Sequence, residues 1–266
     1  MRSGKMKQPE IIRKKKNTQL LFLLGLITGL TIWSMWDVGF NLISLMEGIG
    51  ETFRFIFVDM FPPSFTAVIK LIPPALDTLY ISFVAMVIAA TIAFFLSFFG
   101  AYNTTPHPIL QIIVRGIASF LQSIPALVWV LILVAAYGLG LIVGTIALVL
   151  SGTGLLIRSF SEIIEEIDDE QVEALRATGA NWFQIIGQAV VPQVLPGMVG
   201  WSLYKFDLNI REAAVIGMVG GGGIGFSMQT SLKLFQYKDA LTAILIIFIL
   251  VTTIEFLTGK VRERLL

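Results

Sequence analysis

EIIEEIDDEQVEALRATGANWFQIIGQAVVPQVLP, residues Glu162 to Pro196, is the longest charged, amphipathic run in a chain that is otherwise strongly apolar. Asp168 and Gln171 have the spacing of a capping box, and Asp169 and Glu170 bring negative charge to the positive end of the helix that follows. That helix is predicted to run to about Thr178, where Gly179 supplies a left-handed stop. Beyond it Trp182, Phe183, Ile185, Ile186 and Ala189 recur at helical spacing. Pro192 is expected to end this second helix and to start a new apolar segment. The stretch therefore reads as helix, glycine turn, helix, displayed at a membrane surface.

Working outward, 56% of the 266 residues are hydrophobic and 14% charged. With a mean hydropathy of +0.83, this is the composition of an all-α, polytopic membrane protein. Absence of cysteine rules out disulfides and thiolate metal sites. The one histidine, His107, lies in a Pro-His-Pro turn and cannot build a histidine metal cluster. A net charge of +1 implies no partner by itself; the distribution of charge says more.

Three segments are expected: a basic cytoplasmic tail over 1–17, a first span and amphipathic outer segment over 18–74, and a permease-like domain over 75–266. The tail carries Arg2, Lys5, Lys7 and the run Arg13 to Lys16 against Glu10. Thr18 to Trp36 is long enough to cross a bilayer and lacks a small-x-small cleavage site, so an uncleaved anchor is expected. The basic run beside it points to topology and anionic lipid, not to nucleic acid. Ile43, Met46, Ile49, Phe53 and Phe57 suggest an amphipathic surface helix, broken by Pro62-Pro63 and Pro73-Pro74. Further spans are expected over about 75–99, 117–137 with a kink at Pro125, 141–157, 192–219 and 240–257. With the N-terminus inside, the tail, Arg115, Arg158, Arg176, Lys260, Arg262 and Arg264 all fall on the cytoplasmic side. Only Arg54, Lys70, Lys233 and Lys238 fall outside. That asymmetry supports six transmembrane helices with both termini cytoplasmic.

Two features inside the apolar segments stand out. Gly220, Gly222 and Gly225 fit a dinucleotide fingerprint literally, but no βαβ pattern surrounds them. The cluster Gly220, Gly221, Gly222, Gly223 and Gly225 reads either as an unwound helix end beside a solute path or as a flexible outer turn. Lys205, Asp207, Asn209, Arg211 and Glu212 lie within the fifth span, where ionisable groups face a bundle interior or cavity by default. Asp207 and Arg211 are spaced to pair along one helix face, and Lys205, Asn209 and Glu212 along another. Structural pairing and contact of Arg211 or Lys205 with a passing anion are both open. No P-loop occurs, and no nucleophile is matched with a base.

The spacing Glu173-Ala174, Gly179, Pro192 resembles the cytoplasmic coupling loop of ABC importer permeases, with Leu175, Ala189 and Val191 as departures. The resemblance extends over Arg115 to Arg264, to the phosphonate importer permeases. It is carried by SIPALVWVLILVAAYGLG, EALRATGA, VVPQVLP and WSLYKFDLNIREAAVIGMVGGGGIG. It implies a type I ABC importer permease (MetI-like) architecture in a bacterial inner membrane, with a coupling loop at about 162–192. Glu173, Ala174, Gly179, Trp182 and Pro192 would engage a separate ABC ATPase, and Lys205 to Glu212 would line the translocation path. It further implies a second permease copy, two ATPase subunits and an extracytoplasmic binding protein. The cargo would be a phosphonate or related phosphorus oxyanion, such as phosphite or a phosphate ester. A permease of the same architecture for methionine or another small solute is the alternative, and an ATP-independent secondary transporter a further one.

Overall fold

The computed structural model describes residues 8–265. They form eleven α-helices and three π-helical turns and, among the described residues, no strand. The chain divides into two units, Met1–Val58 and Asp59–Leu266.

In the first unit, α1 (Gln8–Asp37) contains a stretch, Gln19–Asp37, long and apolar enough to cross a membrane. Residues 1–7 of the expected basic tail lie outside the described residues. Helix α2 (Leu42–Arg54) is capped by the Asn41 side chain, which accepts from the Ile43 amide at 2.9 Å. Its apolar residues Ile43, Met46, Ile49 and Phe53 are exposed.

The second unit is a helical bundle. Its helices are α3 (Phe65–Gly100), α4 (Pro108–Ser123), α5 (Ala126–Tyr137), α6 (Leu141–Glu165), α7 (Asp169–Ala177), α8 (Trp182–Ile185), α9 (Val191–Ile216), α10 (Gly223–Lys233) and α11 (Tyr237–Leu265). Helix α6 is its axis and packs against α3, α4, α5 and α9. Small residues make this possible. A Cβ on Gly154 would meet the α4 backbone at Gln122 N and Ala118 O, at 2.7 and 2.8 Å.

Four helices are long and apolar enough to span, and α4 with α5 forms a fifth segment bent by 84°. Its ends settle what the bend means. The turn before α4 accepts from Arg176 at Asn103 O and from Trp182 at Thr104 O, and at mid-α4 Arg115 Nε donates to Gly100 O while its guanidinium pairs with Glu165, so this end lies beside the 166–181 hairpin. After α5, the Gly140 amide donates to Gly220 O, at the far end of α9. The two helices together run from one end of the bundle to the other, so the segment is a broken span and not a re-entrant loop. Helix α9 is the sixth. It carries Lys205, Asp207, Arg211 and Glu212 and is less apolar than the others, but α3, α6, α10 and α11 surround it.

Several boundaries differ from those expected. Helix α3 begins ten residues before Ala75 and continues through Pro73-Pro74. Burial of Ala67, Leu71 and Ala75 in one cluster with Ile224 and Ala243 holds both sides of the prolines in register. At Pro125 the chain breaks outright instead of kinking. Helix α6 extends to Glu165, so Glu162 to Glu165 belong to a span and not to the hairpin. Pro192 does not end a helix: α8 passes through a π turn, Ile186–Val190, into α9. Proline stands there directly after the π turn, where the regular helical hydrogen-bond ladder is already interrupted.

Candidate functional site

The hairpin between α6 and α9 is built by local capping. Asp168 caps α7 by accepting from the Glu170 amide at 3.0 Å; the expected box with Gln171 does not form. The reciprocal box sits one helix later. Asn181 Oδ1 accepts from Gln184 N at 3.0 Å, and Gln184 Oε1 accepts from Asn181 N at 2.8 Å. Gly179 lies between them at φ +81°, the left-handed turn expected of it.

One face of this hairpin is anchored. Val172, Ile185, Ile186 and Ala189 enter a hydrophobic cluster with Phe98, Leu156 and Phe160. Trp182 stacks on Phe99 with centroids 5.7 Å apart and donates Nε1–H to Thr104 O at 2.7 Å. Trp182 therefore faces inward and rivets the hairpin to the turn after α3. Glu173, Ala174, Gly179 and Pro192 are exposed. The aromatic presented outward is Phe183, at 78% exposure. Helical spacing grouped Phe183 with the apolar face; only the packing of Trp182 separates the two.

The charges of α9 divide into two sets. Lys205, 1% exposed, places its ammonium 3.0 Å from Glu212. Arg211 bridges Asp207 at 2.9 Å and Glu255 of α11 at 3.0 Å. Asn209 does not join Lys205 and Glu212 as its spacing suggested. It is fully buried and donates to Ser82 O of α3 at 3.0 Å. Glu255 was not legible, because its partner lies 44 residues away on another helix. Lys205, Arg211 and Glu212 open on a cavity of about 470 Å³ at the α4–α5 break, which Gln122, Pro125 and Ser151 also line.

The glycine cluster is an unwound helix end that is packed and not loose. The π turn Gly217–Gly221 leaves helical geometry at Gly220 (φ +108°), Gly222 (φ +80°) breaks the chain before α10, and Gly220, Gly221, Gly223 and Gly225 are buried. Thr78 Oγ1 accepts from the Ile224 amide at 2.9 Å. A Cβ on Gly225 would collide with Ala214 O, and one on Gly144 with Gly221 O. The corner is locked by backbone contact.

A family model described as "Binding-protein-dependent transport system inner membrane component" matches residues 93–265. The phosphite transport system permease protein PtxC of Stutzerimonas stutzeri is 34% identical over 91% of this chain and 88% of its own. The phosphate-import permease protein PhnE of Mycolicibacterium smegmatis is 34% identical over 89% of this chain and 44% of its own. Among solved structures, an inward-facing form of the MetNI methionine ABC transporter covers 76% of this chain and 99% of its own. Its TM-score is 0.67 at 21% identity, so it speaks to fold alone.

Proposed function

The chain belongs to the family of binding-protein-dependent transport system inner membrane components, and from that premise we propose that it carries phosphorus oxyanions, phosphonate or phosphite among them, through the membrane. It is a transport permease subunit and not an enzyme. Energy would come from a separate ABC ATPase, two copies of which dock on two permease copies, and cargo would arrive on an extracytoplasmic binding protein. The observation that carries the cargo is the match, at 34% identity over 91% of the chain, to a phosphite permease.

In this reading the exposed face of the hairpin, with Glu173, Ala174 and Gly179, contacts the ATPase, while Trp182 and Pro192 set its position. That face is then cytoplasmic, as are both termini. The glycine corner forms the outer end, and the cavity beside Lys205, Arg211 and Glu212 lies on the solute path with Asp207 and Asn209 supporting it from behind.

Uptake in cells lacking other phosphorus importers tests this. The permease, expressed with its ATPase and binding protein, should take up phosphite or methylphosphonate, with phosphorus oxyanions competing and methionine not. Competition by methionine alone would overturn the cargo. Glu173→Lys should leave the subunit in the membrane yet lower uptake at least tenfold, because it reverses an exposed charge on the docking face. Normal uptake by that variant removes Glu173 from the contact.

A further inference from the structure

The cavity at the α4–α5 break holds two cations in unequal circumstances. Arg211 has two carboxylates, Asp207 and Glu255. Lys205 has one, Glu212, and otherwise only Ser151 Oγ at 3.5 Å. An ammonium has three protons to donate, so Lys205 retains capacity for one more acceptor. The two members of this pair also differ in freedom. Lys205 is walled in: a Cβ on Gly152 would sit 3.0 Å from its Cε and 3.1 Å from the Ala89 Cβ. The Glu212 side chain keeps 33% of its exposure. The cation is enclosed, and its counter-ion reaches open space.

We propose that Glu212 is the resident occupant of an anion station: its carboxylate holds Lys205 while the path is empty, and a phosphorus oxyanion passing through the cavity takes its place on the ammonium. This rests on the oxyanion-import reading above and specifies how the site would accept such a cargo. A buried ammonium stripped of its partner is strongly disfavoured, so the anion must arrive by exchange, one set of anionic oxygens for another. A solute without negative charge cannot displace the carboxylate, which makes the pair a filter. The cavity volume of about 470 Å³ equals the share of roughly fifteen waters, so a small oxyanion and the displaced carboxylate fit together. Pro125 and Ala126 line the same space, and no side chain caps the start of α5, so its positive end favours an anion there. Arg211, neutralised twice, keeps α9 against α11 and does not exchange.

Binding of radiolabelled inorganic phosphate to the purified full-length permease in detergent is the test, read beside uptake by the whole complex. Glu212→Gln should bind phosphate at least tenfold tighter than wild type, because the internal competitor is gone, and should transport more slowly because release is impaired. Adding Lys205→Met to that variant should abolish the tight binding and the uptake. Equal affinity in Glu212→Gln, or tight binding or normal uptake in the double variant, overturns the exchange. Wild type supplies a readout that needs no variant: phosphate should increase carbodiimide labelling of Glu212, mapped by mass spectrometry, and unchanged or reduced labelling overturns the proposal. A wild-type complex that imports no phosphorus oxyanion defeats the import reading itself. One that does, with Glu212→Gln binding no tighter, defeats only the exchange.

Discussion

At one end of the helical bundle Gly179 turns the chain at φ +81° with nothing within 4 Å of where a Cβ would stand. At the other end Gly225 has an ordinary helical position, but a Cβ there would collide with Ala214 O and approach the Gly217 Cα at 3.2 Å. The first glycine is required by conformation and the second by close approach. The distinction suits what each end would do in the proposed reading. A hairpin with empty space around its turn and an exposed face can be gripped and moved by another protein. A corner in which backbone lies on backbone would yield little, so that rotation of α9 should carry α10 with it.

Gly225→Val offers the largest expected effect. Overpacking against backbone leaves no flexible side chain to give way, and costs about 3 kcal/mol. The variant should reach the membrane at much reduced level and melt well below wild type in detergent. Wild-type melting and abundance would mean the corner is looser than its contacts indicate.

Gly179→Val comes next and should act differently. The left-handed conformation costs a non-glycine residue about 1–2 kcal/mol, more for a β-branched one, yet no neighbour is struck. The subunit should still insert, with uptake lost because the α7–α8 angle changes. Gly179→Asn is the control, since asparagine tolerates positive φ, and should restore most of the uptake. If valine and asparagine are equally harmful, the turn's conformation is not what matters there.

The same contrast explains what could be read from the sequence. The hairpin was legible because its signals are local: an acidic cap, a glycine, an aromatic. Even so, Asp168 was paired with the wrong partner, and the real box, Asn181 with Gln184, was missed although both residues stand at the required spacing. The corner was not legible. Its close approaches join Gly144 to Gly221 and Thr78 to Ile224, which no periodicity reveals. Helix α10 vanished into an expected loop for that reason. Pro73-Pro74 misled in the opposite direction, as a local breaker overridden by burial on both sides.

The charges of α9 fall between these cases. Spacing of four and of seven along one helix paired Asp207 with Arg211 and placed Lys205 on a face with Glu212, but nothing in the sequence linked Arg211 to Glu255. That third member changes what an exchange of Asp207 and Arg211 can test. The swapped carboxylate at 211 would face Glu255, so failure of the doubly substituted chain would report repulsion across α9 and α11 and not a lost substrate contact. Adding Glu255→Gln removes the repulsion, and uptake should then recover if Arg211 only braces the two helices.

Trp182→Phe is the smallest change and the sharpest test of the hairpin as a lever. It keeps an aromatic ring to stack on Phe99 but removes the donor to Thr104 O, leaving that carbonyl short of a partner. A lost hydrogen bond of this kind costs about 1 kcal/mol, so melting should fall slightly and membrane level should hold. Transport should fall more than stability does if the rivet between α8 and the turn after α3 turns movement of the exposed face into movement of the bundle. Trp182→Ala removes stack and hydrogen bond together and should abolish uptake. If phenylalanine transports as well as tryptophan while alanine fails, the stack alone transmits the movement. If both transport normally, the inner face of the hairpin is only a packing surface and coupling must run through the π turn into α9.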